Sequence, residues 1–177
     1  MTSIPAIPNL VLIPDETQND YKALYGIATA YAHSGLLISN YGKNSKQIEF
    51  TFPAIVCSSF AIELFLKFFL MLERAKSMGL PAKPKTGHKL VSLWDEITLE
   101  HKQLIAGMFR NDTGKPLLNA ADKRIELFAG ALDSIGEAPF VKWRYVYEFS
   151  EITLMSHGAI AEVLDALGNA AQHVLRR

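Results

Sequence analysis

"SSFAIELFLKFFLML", residues 58–72, is almost unbroken apolar side chain, yet it holds Glu63 and Lys67 four residues apart. In a helix, residues i and i+4 share a face, so the two charges meet. At ~100° per residue, Val56, Ser59, Glu63, Lys67, Leu70 and Arg74 fall on one strip, and the remaining faces are apolar. A helix apolar on most sides has to be enclosed. More than one neighbouring helix is needed for that, and a second copy of the chain is one source of cover. Two readings of the charged pair stand. It is a solvated seam with an ion pair worth ~0.2–0.5 kcal/mol. Or it lines a cleft into which Arg, His or Tyr arrive from other helices. A pair buried there is costly unless well hydrogen-bonded, so its retention would point to a role.

This helix is expected to begin at Pro53, a good first-turn residue, and to end near Gly79, where "MGLPAKPKTG" breaks it. The run from Pro53 to Leu72 approaches the length of a membrane span, but Ser58, Ser59, Glu63 and Lys67 interrupt it. A charge at a bilayer centre costs at least ~2.5 kcal/mol, so no membrane partner is expected.

Helical periodicity extends in both directions. Upstream, Tyr21, Leu24, Tyr25, Ala28, Ala32, Gly35 and Leu36 follow the i, i+3, i+4, i+7 rule and predict a helix from about Asp20 to Ser39. Ala28, Ala32 and Gly35 are small enough to let a neighbouring helix approach closely. "NYGKNSKQ" reads as a loop, with Gly42 as the helix stop. Downstream, a short helix follows His88, with Leu90, Leu93, Trp94 and Ile97 inward. Another spans about Leu99 to Phe109, and "RNDTGKP" is a turn. A further helix runs from about Asn119 to Ile135, with Ile125, Phe128, Leu132 and Ile135 as its stripe. After the interruption "GEAP", the aromatic "FVKWRYVYEF" is either a short strand or an irregular lead-in to a helix. The last helix is expected over about Glu151 to Val174, with Ile160, Val163, Leu164, Leu167 and Val174 inward. Pro5, Pro8 and Pro14 make residues 1–19 an extended arm. Residues 20–177 then form one all-α domain, an up-and-down bundle of four to five helices.

The 177 residues carry 18 Lys plus Arg against 18 Asp plus Glu, a net charge of zero. A generally basic nucleic-acid binder is not indicated, although a local basic patch is compatible with this balance. The single cysteine, Cys57, has no internal partner and reads as a small core residue in a reducing compartment. The N-terminus lacks the charged start of a secretory signal, so a cytoplasmic location is expected, and the "NDT" at 111–113 is then no glycosylation site.

Two clusters suit anions. "PAKPKTGHK" brings Lys83, Lys85, His88 and Lys89 to a helix start, where free N–H groups favour phosphate; the plainer reading is a solvated basic loop. "KWRYVYE" sets Lys142, Arg144, Tyr145 and Tyr147 among aromatics, which suits phosphate pairing and base stacking. Here the plainer reading is a core Trp143 with Arg144 paired to a carboxylate, for which Glu63 is the natural partner. No HExxH, paired CxxC, P-loop, GxGxxG or GxSxG occurs, and His33, His88, His101, His157 and His173 have no ligand spacing. No metal or cofactor is expected.

The long helix with "AIELFLKFFL", the "GHKLVSLWDEI" segment after a loop, and "WRYVYE" before the last helix together resemble the HEPN superfamily, from about Tyr21 onward. The resemblance implies a helical bundle, usually homodimeric, in toxin–antitoxin, phage-defence or RNA-processing settings. Catalytic members carry an arginine, often a polar residue after it, and a histidine four to six residues further on. After Arg110 those positions hold Lys115, Pro116 and Leu117; after Arg74, Gly79, Leu80 and Pro81; after Arg124, Ala129, Gly130 and Ala131; after Arg144, Phe149, Ser150 and Glu151. The ribonuclease motif is absent. The residues that match are Glu63 and Lys67, His88, and Arg144 with Tyr145. The expectation is a non-catalytic homodimer that binds a nucleotide or RNA-like anion through Lys67, His88 and Arg144, with Glu63 orienting them. Two alternatives are a ribonuclease with an unconventional site around His88 and Arg144, and a purely structural module that binds a protein partner.

Overall fold

A computed structural model describes residues 21–78, 86–110, 121–145 and 157–176. The described residues form α1 (Tyr21–Ser45), a 3-10 turn (Ile48–Phe50), α2 (Thr51–Met78), α3 (Leu90–Glu96), α4 (Leu99–Met108), α5 (Ala121–Ile135), α6 (Pro139–Arg144) and α7 (His157–Leu175). No β-strand occurs among them, so the all-α expectation holds.

α2 is the axis. Every residue from 61 to 72 is buried. Its neighbours α1, α3, α6 and α7 all come from the same chain, so α2 needs no second copy to be enclosed. The stretch Ile48–Ser77 is long and apolar enough to cross a membrane, but most of its apolar part is buried inside the fold. That apolar surface is already spent on packing, at ~1.5–3 kcal/mol per fully buried large side chain. α4, α5 and α7 pack against one another below it, where Trp94 and Phe109 both meet the ring of Phe128.

The α1–α2 contact depends on a missing side chain. A Cβ on Gly35 would lie 2.3 Å from Ser58 Oγ and 3.1 Å from the Ala54 carbonyl oxygen. The close approach expected from the small residues of α1 therefore occurs at Gly35. Gly42 is a correction: it does not stop the helix. α1 continues to Ser45, and Gly42 is buried where a Cβ would come within 2.8 Å of the Phe50 Cβ. The turn comes later, at Lys46, with φ of 57°.

The other predicted helices lie close to their observed places. Leu90, Leu93, Trp94 and Ile97 are buried as expected, as are Phe128, Leu132 and Ile135. In α7, Ile160, Val163 and Leu167 are buried, while Leu164 and Val174 are half-buried. The aromatic "FVKWR" is neither strand nor irregular: it is α6, opened by buried Pro139. The arm at 1–19, the turn at 111–117 and the start of the last helix lie outside the described residues.

Candidate functional site

The strip on α2 is not a solvated seam. Ser59, Glu63 and Lys67 all rank as buried, and the Glu63 side chain is 1% exposed. Lys67 Nζ donates to Glu63 Oε1 at 2.8 Å. The i, i+4 spacing made that contact available, and the surrounding helices removed the water from it. Charges taken out of water at this depth need full hydrogen bonding. Lys67 supplies one bond to the carboxylate, and His88 supplies the rest.

His88 Nδ1 lies 3.0 Å from Glu63 Oε1 and 3.1 Å from Oε2. A carboxylate only accepts, so the proton of this contact sits on Nδ1, which leaves Nε2 as the nitrogen available to a ligand. The His88 side chain is 52% exposed. The result is an imidazole at the surface, aimed by a carboxylate in the interior.

Three local features deliver His88. Gly87 has φ of +106°, a conformation that an L side chain strains to adopt. Lys89 is the N-cap of α3, and its ammonium pairs with Glu137. The Leu90 N–H donates to the Glu137 carbonyl at 3.0 Å. Glu137 itself follows the turn at Gly136, also at positive φ. The chain before α3 is thus pinned to the chain before α6. This corrects one expectation. At the start of α3 the first N–H is already bonded to the Glu137 carbonyl and so is not open to an anion. Lys83 and Lys85 lie outside the described residues.

Arg144 is not the partner of Glu63. Phe140 stacks on Phe60 with centroids 4.2 Å apart, and Trp143 lies over Phe52 at 6.3 Å. α6 therefore runs back along the N-terminal half of α2. Its guanidinium lies 5.1 Å from the Phe140 ring centroid and 4.7 Å from that of Tyr145. Arg144 and Tyr145 are both exposed. Of the five candidate residues, Glu63, Lys67 and His88 come together; Arg144 and Tyr145 form a separate cation–aromatic group. Tyr147 lies outside the described residues.

A second Glu–His pair was not legible beforehand. Glu73 Oε1 accepts from the Thr98 N–H at 3.0 Å, from the Thr98 hydroxyl at 2.6 Å and from His101 Nδ1 at 2.6 Å. Burial by itself pushes the Glu73 carboxyl up, but the bonds from His101 and Thr98 outweigh it and hold the group below its ordinary range. Glu73 thus caps the start of α4 from α2. Burial pushes the Cys57 thiol up, away from the reactive thiolate. Among the described residues no three His, Cys, Asp or Glu side chains stand close enough to hold a metal.

No family model matches the chain, and neither the curated proteins nor the solved structures contain a match.

Proposed function

We propose that this protein is a HEPN-like, non-catalytic helical homodimer that binds the phosphate of a nucleotide or of RNA at His88. The supporting observation is the half-exposed imidazole held at 3.0 and 3.1 Å by a buried carboxylate that Lys67 already neutralises. With Glu63 and Lys67 cancelling, a second proton on His88 leaves a net positive charge at the surface, with Nε2–H as a donor for a phosphate oxygen. Arg144, lying over Phe140 and Tyr145, adds a cation and an aromatic face for a nucleobase. Glu63 and Lys67 are positioning residues in this reading. A toxin–antitoxin or phage-defence setting is part of the same proposal and rests on the resemblance alone. For the homodimer, the supporting feature is the tip of the α1–α2 hairpin, where Leu37, Tyr41 and Ile48 are exposed apolar side chains.

The test is a thermal-shift titration with nucleotides and short RNA oligomers, with the RNA inspected on a gel. A ligand present at 100 times its dissociation constant adds ~2.7 kcal/mol to stability. The expected result is a shift that His88→Ala abolishes and Arg144→Ala weakens, with intact RNA. A shift that survives His88→Ala rules the reading out.

One observation favours a second reading. A histidine whose Nδ1–H is held by a carboxylate presents Nε2 as a base, which also suits RNA cleavage through the 2′-hydroxyl. RNA that is cleaved by the wild type and left whole by His88→Ala would replace the binding protein with a ribonuclease.

A further inference from the structure

On the face of α2 opposite Glu63, the helices do not close. α1 and α7 both pack on α2, and the small side chains that face the space between them, Ala32 on α1 and Ala161 and Gly168 on α7, do not fill it. They leave a cleft of about 640 Å³, within the range of small-molecule sites. Its floor is apolar and buried, with Phe65 and Ile160. The Tyr25 and Phe65 rings meet edge to face at 6.1 Å and form an aromatic end wall. The cleft is open to the surface along two polar lips.

The lips are unequal. Among the described residues, Asp165 of α7 is the only carboxylate on the lining, and it has no hydrogen-bond or ion-pair partner. α1 contributes His33, and no described lysine or arginine lines the cleft. A lone carboxylate beside low-dielectric walls attracts a cation more strongly than it would in water, and aromatic faces add to that attraction. Thr29 on the α1 wall is a further sign of an unfinished contact. Its Oγ1 is shut off from solvent and has no hydrogen-bond partner among the described residues. Ser34, one turn along, instead returns its hydroxyl to the Ala30 carbonyl at 2.9 Å. Buried hydroxyls are normally bonded, and an exception calls for a cause.

We infer that this cleft is a second binding site, separate from His88, for a small amine with an aromatic body. Its ammonium pairs with Asp165 and its ring lies on the Phe65–Tyr25 end.

Tryptamine is the probe, and indole-3-propionate, with the same ring and the opposite charge, is the control. Binding is read from protein amide shifts in NMR titrations of the full chain. Tryptamine is expected to saturate in the millimolar range or below and to move amides of α1 and α7. It should bind at least tenfold more weakly to Asp165→Asn and not at all to Ala161→Trp, which fills the mouth. His88→Ala should leave the titration unchanged, so the two sites stand or fall separately. Asp165 and Ala161 are exposed, so both variants are expected to melt with the wild type. Absence of saturable binding by the wild type overturns the inference. Equal affinity for Asp165→Asn, undiminished binding by Ala161→Trp, or indole-3-propionate binding as well as tryptamine does so too.

Discussion

α2 carries two Glu–His pairs built from the same parts, and they are not equivalent. In each, a glutamate of α2 accepts from the Nδ1 of a histidine that follows it by 25 or 28 residues. Glu63 is the deeper carboxylate, yet its histidine is the exposed one. The His88 side chain is 52% exposed and the His101 side chain 6%. His101 lies in the first turn of α4, with its ring 5.4 Å from that of Phe69, and its carboxylate also caps that helix. His88 precedes α3 on a glycine turn and is bonded to the core through Nδ1. The Glu73–His101 pair therefore holds two helices together. The Glu63–His88 pair uses the interior to hold a surface group still, which is the arrangement a binding site needs. Exposure of the histidine, more than burial of the acid, separates a site from a staple.

The largest expected effect comes from removing the deep acid. Glu63→Ala strands the Lys67 ammonium in the core, and breaking a buried pair in this way costs about 3–5 kcal/mol. Urea unfolding measures it. Replacing both partners, as in Glu63→Leu with Lys67→Leu, should recover most of that loss, because nothing charged is left buried. A double variant as unstable as the single one would show that His88, not Lys67, is the partner that matters.

Next is the staple. His101→Ala removes a buried ring and a charge-assisted bond, for a loss of about 2–3 kcal/mol by the same measurement. Its acid also has a pH signature. Glu73 is held below its ordinary value of 4.5, so the folded state favours its ionised form. That stability is fully present above the ordinary value and is lost as the pH falls through the lower folded one. Glu73→Gln should therefore flatten the acid limb of the stability curve. An unchanged acid limb in Glu73→Gln would remove Glu73 from the account.

The smallest expected effect on stability is at the site itself. His88→Ala should cost about 1–2 kcal/mol, because it takes the bond from buried Glu63 Oε2 while Lys67 still serves Oε1. Gly87→Ala meets no atom within 4 Å of its new Cβ, so it acts only through the positive φ, at about 1–2 kcal/mol. It should also displace the imidazole and weaken any His88-dependent ligand as His88→Ala does. Gly87→Ala that binds like wild type would show that the turn does not aim the ring.

Much of this was legible from residue order, for a definable reason. Periodicity at 3.6 residues reports which face of a helix is apolar, and α2, α3, α4 and α5 lie where that signal put them. The Glu63–Lys67 contact is also local, set by four residues of helix. Gly42 misled because a glycine that ends a helix and a glycine that admits a neighbour look alike in one dimension; only the position of Phe50 separates them. Arg144 misled because charge complementarity with Glu63 is blind to distance. The docking of Phe140 on Phe60 carries Arg144 along α2 in the other direction. Glu73 went unread because its partners, Thr98 and His101, reach it only after the chain has turned back on α2.

By itself, then, the sequence determined most of the helices, their buried faces and the Glu63–Lys67 ion pair within α2, because those depend on spacings of three and four residues. The tertiary structure alone decided which histidine meets which glutamate, which of the two stays wet, and where α1 and α7 fail to close. Those outcomes depend on the turns at Gly87 and Gly136 and on how separate helices dock, and no local spacing encodes where two distant segments meet.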